Sequence, residues 1–460
     1  MNGFDSYFEG LRGRKIAVLG LGVSNRPLVR LLLSHGCTVI GCDRTPREKL
    51  DEEVLELEQA GCTLSLGEGY LEGIEAELVF RTPGMHPDNP ALVGLRERGA
   101  EITSEMEVFF ELCPCHTIAV TGSDGKTTTT TLISQLLKQE GRRVFLGGNI
   151  GTPLLSQIPR MEPQDYAVVE LSSFQLLDMR RSAQRAVITN LAPNHLDVHR
   201  DMQEYIDAKK NVFRFQQPGD LLVLNADNAI TSAMAGEGPG RTHWFSRQRA
   251  VENGVYLEDN QIYLARDGRA EAVLDAREIL LPGIHNVENY MTAIAATEGL
   301  VSKESIRQVA RSFGGVEHRI ELVRVRDGVR FYNDSIASSP SRTIAGLRSF
   351  PEPVILIAGG YDKHIPYEVL GPEICAHVKH LFLTGATAEK IHRAVVESVE
   401  YQPGKPEITR VEEFEDCIRA AAAAAQPGDV VLMSPASASF DRFKNFMVRG
   451  EIFKKIVEEL

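Results

Sequence analysis

The chain has one tryptophan in 460 residues, and its seven cysteines are an odd, scattered set. That excludes a disulfide framework, which belongs to short, cysteine-dense chains. Cys113 and Cys115 flank a single proline, short of the usual metal spacing and without a second pair elsewhere. All seven are read as free thiols in a reducing cytoplasm. No run of about 18 apolar residues occurs, so no membrane span is expected. The opening MNGFDSYFEG has no basic start followed by an apolar stretch, so no signal peptide is expected. Positive charge is scarce: 50 Lys and Arg stand against 63 Asp and Glu, a net charge of −13. Binding nucleic acid by counterion release needs a basic face, so neither nucleic acid nor membrane is an expected partner. A local basic pocket for a small anion stays open. No short fixed repeat is present.

What is there suits a soluble multidomain protein, with 43% hydrophobic and 25% charged residues. Short apolar runs alternate with amphipathic stretches from end to end, predicting an α/β fold. Three domains are expected, each with a mainly parallel sheet and flanking helices. They span 1–110, 111–312 and 313–460. The third opens on a hairpin turned at Asp327-Gly328. Six alanines at 420–425 read as a helix stopped by Pro427-Gly428.

The strongest motif is Gly122-Ser123-Asp124-Gly125-Lys126-Thr127, between a predicted strand at 117–120 and a predicted helix. Backbone N–H groups and a helix N-terminus there suit a phosphate, Lys126 can reach it, and the Thr127 hydroxyl can hold Mg²⁺. A complete P-loop would have glycine at 120, where valine stands. Glu170 ends an apolar strand on the ligand side of a parallel sheet, where a carboxylate can help hold Mg²⁺ or simply serve as a loop carboxylate. His195 follows another strand, at 186–191, and by itself reads as an ordinary loop histidine. Lys209 sits four residues from both Tyr205 and Phe213 on the apolar stripe of a helix at 201–215. Such an ammonium must pair, lose its proton, be modified, or snorkel to water. Asn286 and Asn289 open an Ala-rich helix, for base or ribose recognition or, in the case of Asn286, for capping. Loops carrying Asn333-Asp334-Ser335, Gly359-Gly360-Tyr361-Asp362-Lys363 and Ser434-Pro435-Ala436-Ser437-Ala438-Ser439-Phe440 follow three strands of the last domain. They are expected to converge on one sheet edge. Gly20-Leu21-Gly22 with Asn25 is a weak dinucleotide fingerprint, backed by Asp43 at the next strand end.

Along its whole length the chain resembles the Mur ligases of peptidoglycan synthesis. The shared strings are residues 122–127, 285–289 and Glu317-His318-Arg319. The string Glu170-Leu171-Ser172-Ser173-Phe174-Gln175, Asn333-Asp334-Ser335 and the segment 434–446 point to the D-glutamate-adding branch. The resemblance implies a Rossmann-like first domain, a P-loop ATPase-like second and a Rossmann-like third. It implies a cytoplasmic, monomeric, ATP- and Mg²⁺-dependent amide ligase that joins D-glutamate to UDP-N-acetylmuramoyl-L-alanine. Another Mur-type or a folylpolyglutamate-type ligase is the alternative. By position, it implies that Gly122, Ser123, Asp124, Gly125, Lys126, Thr127, Thr128, Asn289, Arg319 and Asp334 bind ATP. Thr127, Glu170, His195 and Lys209 would bind metal, with Lys209 carbamylated, and Lys126, His195 and Lys209 would act in catalysis. Val23, Ser24, Asp43, Arg44, Thr82, Asn149, Ser338, Lys363, Ser439, Phe440 and Phe446 would bind the two other substrates. Asp124 and Ile336 depart from residues common among relatives. A hinge near 310–320 is expected.

Overall fold

A computed structural model describes residues 3–194 and 198–460. Three sheets account for the strands, each with helices between them. The chain packs as two compact units, residues 1–276 with 288–309, and residues 277–287 with 310–460. The first two sheets therefore share a unit, and a continuous apolar core runs from Phe4 and Phe8 through Phe109 to Leu222.

The first sheet is all parallel, in the order Thr63–Leu66, Thr38–Asp43, Lys15–Leu19, Leu78–Phe80, Glu101–Thr103. Successive strands build outward on one side of Lys15–Leu19 and then on the other. The loops after Leu19 and Phe80 thus flank a switch in strand order, where open α/β sheets bind ligands.

The second sheet has nine strands. Its parallel part centres on His116–Thr121, between Tyr166–Glu170 and Arg185–Ile188. Apart from His116, the interior strands His116–Thr121, Tyr166–Glu170 and Leu221–Asn225 are buried along their length, as helices on both faces require. The strand expected at 186–191 stops at Ile188, since Thr189 and Asn190 turn their polar groups onto the neighbouring loop. The sequence reading also missed an antiparallel extension, Gly254–Glu258, Gln261–Arg266 and Arg269–Asp275.

In the second unit, Glu321–Arg326 and Val329–Asn333 form the expected hairpin, with Asp327 at φ 50° and Gly328 at φ 79°. Parallel strands follow, Val329–Asn333 beside Val430–Met433 beside Val354–Ala358. The alanine run lies in the helix Phe414–Ala424. Neighbouring strands bring the three expected loops to one edge. Among the described residues no helix is long and apolar enough to cross a membrane, and all seven cysteines are free thiols.

Candidate active site

The strand His116–Thr121 runs into Gly122, and the helix Lys126–Gln139 begins after Gly125. Both glycines are required. At Gly122 (φ +145°) a Cβ would fall 1.9 Å from Thr189 Oγ1, and at Gly125 (φ +76°) one would fall 2.5 Å from Asn289 Oδ1. The loop is held from behind: Asp124 N–H donates to Asn190 Oδ1 at 3.0 Å, and Thr189 Oγ1 donates to Asp124 O at 2.6 Å. Ser123 Oγ lies 2.9 Å from the Tyr205 hydroxyl. Lys126 folds over the turn, its Nζ donating to Gly122 O at 3.0 Å and Ser123 O at 2.9 Å. Thr127 and Thr128 occupy the first helical turn, and the Asp124 side chain is exposed. The result is a braced turn with a helix N-terminus and an ammonium folded over it, a geometry that suits phosphate oxygens.

Glu170 ends the adjacent strand, in register with Val120. It is 1% exposed. Its Oε1 accepts from Asn149 Nδ2 at 2.8 Å, while the buried Oε2 has no hydrogen-bond partner. A buried oxygen so placed is costly unless something else binds it.

Lys209 lies on the helix Met202–Arg214 and is also 1% exposed, so it does not snorkel. Its Nζ donates to Thr121 Oγ1 at 3.1 Å and Gly122 O at 2.9 Å, and sits 4.8 Å from the centre of the Tyr205 ring. Burial, and then the nearby charge of Lys126, push its pKa well below the ordinary lysine value. The same burial that holds the ammonium on two oxygens makes its proton easier to lose than that of an exposed lysine. Lys210 points away, to Glu237 at 2.8 Å.

His195 lies outside the described residues. Nearby, the sequence reading missed His199, buried and stacked on Phe174 with ring centres 5.2 Å apart, its Nδ1 3.4 Å from Glu204 Oε2. Burial opposes ionisation of Glu204, yet the Arg200 N–H and guanidinium and His86 bring its pKa down to about 2. This knot fixes the start of the helix that carries Lys209. Arg81, 1% exposed, was also missed. It donates to Asp178 Oδ2 at 3.1 Å and Met85 O at 2.7 Å, anchoring the loop that contains Thr82.

At the first sheet, Asp43 accepts from the N–H groups of Leu21 at 2.7 Å and Thr45 at 2.9 Å. Burial would raise its pKa, but these donors lower it below the usual carboxylate value. Asn25 replaces the third fingerprint glycine and closes the turn, its Nδ2 donating to Leu19 O at 3.2 Å and Gly20 O at 2.8 Å. Thr82 packs on Gly20, where a Cβ would lie 3.0 Å from its own. Val23, Ser24 and Arg44 are exposed on the same loops.

The helix Ile284–Ala296 starts two residues before Asn286, so Asn286 is not its cap. Its Nδ2 instead donates to Pro282 O at 2.7 Å. Asn289 Oδ1 accepts from Thr129 Oγ1 at 3.2 Å.

In the second unit Asp334 is buried, accepting from Ser434 Oγ at 2.7 Å and Ile320 N–H at 3.3 Å. Burial raises its pKa to about 7 despite those donors. His318 (φ +63°) pairs with Asn333 Nδ2 at 2.9 Å, Glu317 binds Lys454 at 2.7 Å, and Arg319 is half-buried beside them in sequence. Ser439 is buried, Lys363 is exposed with Nζ 3.5 Å from Ser338 O, and Phe440 meets Tyr361 edge-on at 5.9 Å. Phe446 is half-buried and edge-on to His318 at 6.0 Å.

Comparison with known proteins identifies the family. Residues 120–297 match the Mur ligase middle domain and residues 318–437 the Mur ligase glutamate ligase domain. The chain is 51% identical to UDP-N-acetylmuramoylalanine--D-glutamate ligase of Acetivibrio thermocellus, covering 99% of this chain and 98% of that one. It is 48% identical to the ligase of the same name from Clostridium novyi, covering 99% of each. Its fold is similar to that of UDP-N-acetylmuramate-alanine ligase MurC of Thermotoga maritima, with a TM-score of 0.58 at 18% identity, covering 97% of this chain and 99% of that one. Half the residues shared from end to end is more than a common fold requires: the chain belongs to the Mur ligase family.

Proposed function

We propose that the chain is an ATP-dependent ligase that forms an amide between the alanine carboxylate of UDP-N-acetylmuramoyl-L-alanine and the amine of D-glutamate, in the cytoplasm. The observation that carries this is the glycine turn backed by Thr189 and Asn190, with Lys126 folded over it and Glu170 and Lys209 beside it. Full-length relatives named for this reaction support the choice of substrates.

The carboxylate oxygen attacks the γ-phosphorus of ATP in line, ADP leaves, and an acyl phosphate forms. Backbone N–H groups from Gly125 to Thr127 and the Lys126 ammonium stabilise the charge that develops on the phosphoryl oxygens, while the N–H groups of Ser123 and Asp124 hold the turn against Asn190. Lys126 exchanges its two carbonyl acceptors for phosphate oxygens. The amine of D-glutamate then attacks the acyl carbon, and phosphate leaves. Thr128, Asn289, Arg319 and Asp334 assist ATP. The first-sheet loops with Val23, Ser24, Asp43, Arg44 and Thr82 take the uridine diphosphate end, and Asn149 the muramoyl-alanine part. Ser338, Lys363, Ser439, Phe440 and Phe446 take D-glutamate.

The donors present fit Mg²⁺, because the unpartnered Glu170 oxygen is a hard ligand. Thr127 and Glu170 would hold a first Mg²⁺, and His195 with a carbamate on Lys209 a second; the ions would supply charge neutralisation on the phosphates. Once its ammonium proton has left, which burial favours, the Lys209 amine can add CO₂ and lose a second proton, turning a buried cation into an anionic ligand.

The test is phosphate release with ATP and a panel of UDP-muramoyl acceptors against D- and L-amino acids. Release that needs both UDP-N-acetylmuramoyl-L-alanine and D-glutamate is expected. Release with a folate acceptor and L-glutamate instead overturns the assignment.

A further inference from the structure

Arg449, on the helix Phe446–Glu459, is among the largest fully buried side chains, 2% exposed. Burying a guanidinium is expensive, and such groups normally sit on a carboxylate. Among the described residues Arg449 forms no ion pair. Burial brings its pKa down to about 10, with Asp441 and Asp334 opposing from farther off.

Its donors go to two strand-end loops instead. Nε donates to Ser335 Oγ at 3.0 Å and Nη2 to Ser335 O at 2.8 Å. Nη1 donates to Ser437 O at 3.1 Å and Ala438 O at 3.0 Å. The third loop closes on the same point. Tyr361 N–H donates to Ala438 O at 2.9 Å. Gly360 (φ +151°) leaves no room for a side chain, since a Cβ would lie 2.4 Å from Ala438 O and 3.1 Å from Arg449 Nη1. One guanidinium thus sits where the loops after Asn333, Ala358 and Met433 meet.

We infer that Arg449 is a positioning residue for the amino-acid subsite. It fixes the relative places of the three loops. Its charge, balanced by no direct counterion, also favours an amino acid with two carboxylates over one with a single carboxylate. The inference rests on the reading of these loops as the D-glutamate site. Guanidinium geometry matters as well as charge, because a lysine ammonium cannot serve four acceptors spread over two loops.

The experiment uses the full-length chain and its Arg449→Lys, Arg449→Gln and Ser335→Ala variants. Phosphate release is measured against D-glutamate, D-glutamine and ATP, alongside thermal unfolding. In Arg449→Lys, KM for D-glutamate rises about tenfold while kcat and KM for ATP stay within about threefold. In Arg449→Gln the preference for D-glutamate over D-glutamine also narrows, and added methylguanidinium recovers part of the loss. Ser335→Ala removes the Nε acceptor and also the donation from Ser335 Oγ to Phe446 O at 2.7 Å while keeping the charge, so KM for D-glutamate rises about threefold with the preference for D-glutamate over D-glutamine retained; if the arginine variants do not fold, an unchanged KM in Ser335→Ala overturns the inference. An active wild type with KM for D-glutamate unchanged in folded Arg449→Lys, or moving in step with KM for ATP, overturns the inference alone. A wild type with no D-glutamate-dependent phosphate release overturns the functional reading and this inference with it.

Discussion

Replacing Lys209 by methionine separates chemistry from packing. Methionine fills similar volume with an unbranched, adaptable chain. It removes the bonds from Nζ to Thr121 Oγ1 at 3.1 Å and Gly122 O at 2.9 Å. Each is worth about 0.5–1.5 kcal/mol. Against that loss stands the penalty of keeping an amine dry: burial and Lys126 depress the pKa, and every unit of depression destabilises the folded state by about 1.4 kcal/mol near neutral pH. The two effects oppose, so the melting temperature should move far less than the activity. The sign with pH is also fixed. In the window below the ordinary 10.5 the unfolded chain holds a proton on Lys209 that the folded chain does not, so wild-type stability gains as pH climbs toward 10.5. That gain disappears in Lys209→Met. Activity should respond differently. Methionine cannot carry a carbamate, and D-glutamate-dependent phosphate release should fall at least about 100-fold. In Lys209→Ala, which leaves space, added short-chain carboxylic acids should restore part of it. Phosphate release and thermal melts on the same samples decide. Full activity in Lys209→Met, or activity lost only in proportion to unfolding, would refute the reasoning.

Gly122→Ala should destabilise the first unit by about 2–4 kcal/mol and abolish ATP turnover, since its Cβ meets Thr189 Oγ1 at 1.9 Å. Adding Thr189→Ala should recover part of the stability, as calorimetry would show. Asp334 has a raised pKa of about 7, so the folded state keeps a proton that the unfolded chain loses from near 3.8 upward, and stability contributed by this group falls as pH rises across that window. Asp334→Asn should therefore stabilise the protein at pH 8 by at most about 4 kcal/mol and lose that advantage by pH 4 in denaturant titrations. Cys113 is half-buried, and the hydrogen bond from the Cys115 thiol lowers its pKa, whereas burial raises the pKa of Cys37, Cys42, Cys62, Cys375 and Cys417. Iodoacetamide should label Cys113 first, as peptide mass spectrometry would report, and earlier labelling of Cys375 would contradict this.

Legibility in the sequence followed the range of the interactions. Strands such as Leu221–Asn225 and Val354–Ala358 are continuous apolar runs and read off directly. The three loops of the second unit were legible because each follows a strand end. The extension at 254–275 was missed although it carries the same signals as the hairpin at 327–328: Asp259 and Asn260 at φ 49° and 62°, then Asp267-Gly268 at φ 48° and 75°. Lys209 stood out because a charge on an apolar stripe breaks a short-range rule. Arg81, His199 and Arg449 break none locally. Their partners lie up to 114 residues away, as Ser335 does from Arg449, so only the folded chain reveals them.

The central claim is that the alanine carboxylate is activated by phosphorylation at the glycine turn. The direct measurement uses UDP-N-acetylmuramoyl-L-alanine with both carboxylate oxygens replaced by ¹⁸O, turned over with ATP and D-glutamate. One ¹⁸O atom should appear in the inorganic phosphate released per amide formed. Phosphate carrying no label, with amide still formed, would contradict the account.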